Sequence, residues 1–365
     1  MTDVTEIGVP EPRANPYLIG HAAAEQAYLA AWGGGRLAHA WLIAGPRGIG
    51  KATLSYRMAR YALAQRETGG DDLFGGPSAP QTLEMSASDS VFRRIQALGH
   101  SDFRAIERPW ADAKQTRRKT VIGVDEVREI GTFLAMTPAE GAWRAVVIDA
   151  ADEMNANAAN AVLKILEEPP ERALLFLVAH NADRLLPTIR SRCRRLDLRP
   201  LTQSQVATLI GRYRPDIRSA DVMPLATLAD GSIGRALELA DDGGIALFRD
   251  LIGLLQDAPR FSIAKLHALG DQALKGDAFR TLTGLLSWWL ARVAALGAQG
   301  ALGQAPEIIP GERAAGLKLA AAGPSVWAEV WQEITRLAAR TEAINLDRKR
   351  SLIAALLKVE TAARV

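Results

Sequence analysis

Apolar residues follow two kinds of pattern along this chain, and the change from one to the other divides it. In the first 200 residues, short apolar runs, one of them interrupted by Arg144, stop abruptly at polar or glycine positions. Ala40–Ala44 ends at Gly45, Trp143–Ile148 ends at Asp149, and Ala173–Val178 is a third such run. Runs of this length without alternation predict strands buried on both faces, as in a parallel sheet. Phe103–Ile106 is a weaker strand candidate. Between these runs, helical spacing predicts helices over His21–Trp32, Gly50–Gln65, Val124–Met136 and Ala156–Glu168. Gly33, Gly34 and Gly35 close the first of them, and Pro169 and Pro170 close the last. Strands alternating with helices predict an α/β fold whose sheet is covered on both sides.

Past Pro200 only helical periodicity remains. It predicts helices over Gln203–Tyr213, Asp221–Leu228 and Ile233–Leu239, then longer ones from 244 to the end, with a Gly-, Pro- and charge-rich connection at 295–313. The expected plan is an α/β domain over 1–200, a small helical domain over 201–243, and a larger helical domain over 244–365. Residues 1–16 read as an irregular arm, because Pro10, Pro12 and Pro16 block regular structure. Residues 67–90 are rich in Gly, Ser, Pro and Asp and read as a loop. In Leu285–Leu296 and Val326–Leu346, Trp288, Trp289, Trp327 and Trp331 sit at helical spacing, which suits a bundle core or an interface.

Composition narrows this picture only slightly. Of 365 residues, 48% are hydrophobic and 23% charged, an ordinary globular balance that excludes global disorder. The net charge of +3, from 44 basic and 41 acidic residues, does not demand a nucleic-acid footprint over the whole surface. A single cysteine, Cys193, excludes an intrachain disulfide and a multi-cysteine zinc site. No apolar run is long enough for a membrane span, and the N-terminal arm lacks the apolar stretch of a secretion signal. A cytoplasmic location is therefore expected.

Candidate chemistry begins after the first predicted strand. Gly45-Pro46-Arg47-Gly48-Ile49-Gly50-Lys51 fits a phosphate loop placed between strand and helix. Glycines there let backbone N–H groups wrap a phosphate, the helix N-terminus adds positive potential, and Lys51 reaches the outer phosphates. Ala52 then stands where Ser or Thr would ligate Mg²⁺. Thr53 comes one residue late, about 100° round the helix, where it packs or bonds its own backbone. Val146-Val147-Ile148-Asp149 supplies the acidic position at a strand end. Ala150 follows, where a hydrolysing P-loop ATPase keeps its water-polarising glutamate. Asp152 and Glu153 open the next segment and should point away from the phosphate. Without the metal hydroxyl and the water-positioning carboxylate, ATP turnover is not expected. Lys51 is then either a phosphate contact or a relic.

Asn160-Ala-Val-Leu-Lys-Ile-Leu-Glu-Glu-Pro-Pro170, followed by Leu185-Leu-Pro-Thr-Ile-Arg-Ser-Arg-Cys193, resembles bacterial clamp-loader subunits of the AAA+ class. Tyr17–His21 and Leu37–Ala40 also resemble that family's N-terminal elements. The resemblance covers 15–240 by motif and the helical remainder by architecture, where Asn345–Arg350 leading into Leu352–Leu357 resembles a terminal collar helix. It implies an AAA+ P-loop domain with a parallel sheet, a helical lid and a helical collar. In the family, the Ser-Arg-Cys arginine reaches the ATP of a neighbouring subunit. The resemblance thus implies a trans catalytic role for Arg192, with Ser191 and Cys193 at the interface. Cys193 reads as a packing residue, and Arg190, Arg194 and Arg195 as solvated or salt-bridged.

Asp149-Ala150-Ala151 is similar to the family's non-hydrolysing, stator-like branch rather than to its gamma/tau motors. The implied partners are gamma/tau ATPase subunits and the delta subunit and, through the assembly, a sliding clamp and primed DNA. The whole would serve DNA polymerase III, a DNA-directed DNA polymerase, without a membrane. No cofactor is required by this reading. ATP or ADP binding without turnover stays open through Gly45, Gly48, Gly50, Lys51, Thr53 and Asp149. The family's four-cysteine zinc module is lacking, and 65–102 is long enough to replace it. The lid's phosphate-sensing arginine would fall at Gly234, which leaves Arg235 as a surface charge. Two alternatives are weighed. A catalytic gamma/tau-type motor would need the groups that Ala52 and Ala150 replace. An unrelated P-loop kinase would leave the Glu-Glu-Pro-Pro and Ser-Arg-Cys segments unexplained.

Overall fold

Each apolar run becomes a strand of one sheet. The computed structural model describes residues 10–65, 82–112, 114 and 118–364. The sheet contains β1 (Ala40–Ala44), β2 (Phe103–Glu107), β3 (Arg144–Asp149), β4 (Ala173–Ala179) and β5 (Arg194–Asp197). All pairings are parallel, in the order β2-β3-β4-β1-β5. Alternation within the runs serves two layers. Trp41, Ile43, Val147, Leu174 and Phe176 pack on one face, while Leu42, Val146, Ile148, Leu175 and Leu177 pack on the other. Both faces are covered, so every position along β1 and β4 is apolar and buried.

The first face is covered by α1 (Ala22–Gly33), α2 (Lys51–Ala64) and α3 (Ser90–Gln96). Tyr28 of α1 meets Trp41 edge-on, with ring centroids 5.2 Å apart. The second face is covered by α4 (Val124–Ala135), α5 (Ala156–Glu167) and α6 (Pro187–Arg190). The side chain of Asn155 caps α5 by accepting from the Ala158 amide at 2.9 Å. The described part of the N-terminal arm is strapped to α2. Arg57 donates to the Pro16 carbonyl at 2.6 Å, and Arg60 donates to the Asn15 carbonyl at 3.3 Å.

Among the elements not expected from the pattern are α6, β5 and α3. β5 is a short edge strand with only Leu196 buried, so it leaves no apolar run to detect. α3 begins inside the polar stretch read as loop, where Asp89 caps it through the Val91 amide and Phe92 and Ile95 anchor it. Residues 1–9 of the expected arm and 67–81 of the expected loop lie outside the described residues.

The structure divides into two units, Met1–Gln205 and Val206–Val365. The helices after the sheet are α7 (Gln203–Tyr213), which spans the divide, α8 (Ser219–Leu228) and α9 (Ile233–Asp241). They are followed by α10 (Gly244–Leu255), α11 (Ile263–Gln272), α12 (Ala278–Ala298), α13 (Glu312–Ala320), α14 (Pro324–Ala343) and α15 (Arg348–Ala362). The boundary expected at 243 falls inside the second unit, where α9 packs on α10. Trp289 and Trp327 are buried, and the Trp327 indole donates to the Leu319 carbonyl at 2.7 Å. Trp288 is half-buried beside Phe248, and Trp331 is exposed. Among the described residues, no helix is long and apolar enough to cross a membrane.

Candidate functional site

The phosphate loop leaves β1 at its C-terminal end, where open parallel sheets place ligand crevices. Gly45 has φ +151°, and a Cβ there would lie 2.5 Å from the Leu198 carbonyl oxygen, so only glycine fits. Gly50, at φ +102°, forms the N-cap of α2, and a Cβ would meet Leu18 at 2.8 Å. Gly48 is likewise left-handed, at φ +74°. His21 donates from Nε2 to the Ile49 carbonyl at 2.6 Å. Burial lowers its pKa, which keeps the ring neutral. The segment Tyr17–His21 thus packs directly on the loop.

Lys51 opens α2, is only 3% exposed, and donates its ammonium to the Pro46 carbonyl. Burial pulls its pKa down to about 8, against the attraction of Asp149 and Asp152. Thr53 is buried within α2. At the end of β3, Asp149 stands in register with Glu107 of β2. Burial first, and Glu107 second, push its carboxyl up to about 6. The next residue, Ala150, is buried. Asp152 accepts the amides of His180 and Asn181, each at 2.9 Å, and Glu153 pairs with Arg108 at 2.8 Å. Both carboxylates are therefore taken up by protein partners, yet their charges still reach Lys51 and Asp149.

The motif reading missed His180, which follows β4 directly. Burial, then Lys51, lower its pKa to about 4, and its Nδ1 is buried with no hydrogen-bond partner among the described residues. The available signal was positional, because the residue just past a parallel strand borders the crevice. Glu107 was missed for the same reason. Chemically, the glycines, the start of α2 and Lys51 suit a phosphate group. Ala52 and Ala150 offer no oxygen to a metal ion or a water, so the residues present do not fit Mg²⁺-assisted hydrolysis.

Arg192 belongs to a separate cluster at the end of α6. It is 37% exposed, its Nη2 lies 3.1 Å from Glu167, and its Nη1 donates to the Thr188 carbonyl at 3.1 Å. The Ser191 hydroxyl donates to the same carbonyl at 3.1 Å. Cys193 packs against the core on the second face of the sheet, and burial pushes its thiol up to about 12, so it is no nucleophile at neutral pH. Arg190 pairs with Asp183 at 2.6 Å and Arg195 with Asp197 at 2.7 Å, while Arg194 lies over the Trp41 ring at 4.9 Å. One expectation is corrected in the second unit. Arg235 is half-buried rather than a plain surface charge, with Ser232 accepting its amide and burial lowering its pKa. Among the described residues, no group of three or more His, Cys, Asp or Glu could hold a metal ion.

The family model described as DNA polymerase III, delta subunit, matches residues 20–202, half of the chain. DNA polymerase III subunit delta' of Pseudomonas aeruginosa is 36% identical over 162 residues, covering 44% of this chain and 43% of that protein. The Escherichia coli delta' subunit is 31% identical over 211 residues, covering 58% and 57%. The chain belongs to the delta-prime family of DNA polymerase III clamp-loader subunits. It spans about half the length of these curated delta' relatives. The match also extends to the wider clamp-loader group, for Bacillus subtilis subunit tau is 25% identical over 261 residues, 69% of this chain and 42% of tau. A solved gamma subunit-related protein of Thermotoga maritima aligns over 93% of this chain and all of its own, at 20% identity and a TM-score of 0.43. Within the delta-prime family match fall both the phosphate loop and Arg192, and α7 begins at its end.

Proposed function

We propose that this chain is a non-hydrolysing, stator-like subunit of a DNA polymerase III clamp loader. It supplies Arg192 in trans to the ATP site of a neighbouring gamma/tau-type subunit, joins a delta subunit, and so helps load a sliding clamp onto primed DNA. The observation that carries this reading is the contrast between two sites in one unit. The chain's own loop has Ala52 and Ala150 where hydrolysis needs oxygens, while the Arg192 guanidinium is partly solvent-exposed and contacts Glu167 and the Thr188 carbonyl. A guanidinium keeps its charge and presents a planar fork of donors, so it suits the charge that spreads over a transferring phosphoryl group. Arginines supplied this way contribute about 10³–10⁵ to kcat in well-studied phosphoryl-transfer systems.

The chain's own loop serves as a phosphate cradle without turnover. Gly45, Gly48, Gly50 and Lys51 would hold the phosphates, with Asp149 beside them and Thr53 buried in the helix behind. The test is ATP turnover by the purified chain alone and after mixing with ATPase and delta subunits and primed DNA. The chain alone is expected to be inactive, and the mixture active. Vigorous turnover by the isolated chain would contradict the proposal and favour a motor of the gamma/tau type.

A further inference from the structure

Two segments that carry the family resemblance, the Glu-Glu-Pro-Pro helix end and Ser-Arg-Cys, are joined by an ion pair. Arg192 Nη2 lies 3.1 Å from Glu167 Oε1, and Nη1 bonds the Thr188 carbonyl at 3.1 Å. Glu167 is the last residue of α5, and a carboxylate there faces the negative end of the helix macrodipole. Its own helix therefore gives it no electrostatic benefit, whereas Arg192 does. Both sides of the pair rest on fixed elements. Val162 and Leu166 bury α5, and Ile189 buries α6. Glu167 remains 45% exposed and Arg192 37% exposed, so the pair is wet and weak. A guanidinium carries five N–H donors, more than its two contacts among the described residues engage, so it has donors for a further acceptor.

We propose that Glu167 is a positioning residue for Arg192. It fixes one edge of the guanidinium in cis so that the opposite edge is presented to a phosphate held by an adjoining subunit. The inference rests on the trans role proposed above for Arg192. An exposed pair of this kind biases side-chain orientation by about twofold to fivefold, or about 0.4–1 kcal/mol at about 1.4 kcal/mol per factor of ten. That is enough to shape the arginine's approach and too little to hold it back from a phosphate.

The test uses the full chain in the complete mixture with ATPase and delta subunits and primed DNA, measuring steady-state ATP turnover. Glu167→Gln and Glu167→Ala are expected to lower kcat by about two- to fivefold, with Ala the larger and KM for ATP unchanged. In an Arg192→Ala background the same substitutions should have no further effect, because the interaction they remove is already gone. High salt, which screens the pair, should shrink the gap between parent and variant. Parent-like turnover of both Glu167 variants, with Arg192→Ala impaired, would overturn the role of Glu167 and leave that of Arg192 standing. A Glu167 effect that persists in the Arg192→Ala background would make the residue merely structural and also overturn it. Parent-like turnover of Arg192→Ala would remove the trans role itself, and this inference with it.

Discussion

Asp149 holds a carboxyl where burial and Glu107 both oppose its charge, with Lys51 as a partial counterweight. Its pKa of about 6 lies above the ordinary value of 3.8, so the protonated form is favoured by folding. That contribution is fully present below about pH 4 and is lost as pH rises through about 6. Asp149→Asn is therefore expected to raise the melting temperature at pH 7.5, with the difference vanishing near pH 4. An equal gain at both values would contradict the burial argument. Lys51 titrates in the opposite sense, since its pKa is lowered to about 8. Any affinity for ATP or ADP that depends on its ammonium should fall as pH rises through about 8, and Lys51→Ala should abolish the dependence. A flat titration between pH 7 and 9 would rule out the ammonium as the phosphate contact. Lys51 is singled out in the sequence by the phosphate-loop pattern, and Arg192 by the family resemblance of the segment around it. His180, Glu107 and the partner of Arg192 were not legible there, because strand register and helix packing bring them in from distant segments.

At the scale of elements, legibility followed burial. β1, β3 and β4 lie inside the sheet with helices on both faces, so their apolar runs could be read directly. β5 lies at the edge beside β1 and exposes three of its four residues, leaving a pattern no different from a charged loop. α3 is defined by a cap and two buried side chains, too little periodicity to stand out in a polar stretch. The same logic locates stability. Phe176, in the middle of β4, is fully buried and stacks edge-on against Tyr28 at 6.1 Å. Phe176→Ala is expected to cost about 3–5 kcal/mol in chemical unfolding. By contrast, removing the α5 cap by Asn155→Ala should cost about 0.5–2 kcal/mol. If Phe176→Ala proved as mild as the cap variant, β4 would not be the centre of the core.

Across the whole molecule, the net charge is close to balance, at +3 from 44 basic and 41 acidic residues. The helical second unit buries Trp289 and Trp327 in its interior, so those positions serve its core, while Trp331 stays at its surface. The sheet ends with β5 at Asp197 and helices follow from Gln203, while the last apolar run read as a strand in the sequence already stops at Val178. The sequence did not show that α8 and α9 pack with α10 in one unit, because that depends on which helix faces meet. The proposed division of labour has this chain's own loop hold phosphates without turnover while Arg192 acts at a neighbour's site. The most direct measurement compares Lys51→Ala and Arg192→Ala, each in the complete mixture with ATPase and delta subunits and primed DNA. ATP turnover is expected to survive Lys51→Ala and to fall by at least about tenfold with Arg192→Ala. Loss of turnover with Lys51→Ala and none with Arg192→Ala would contradict this division of labour.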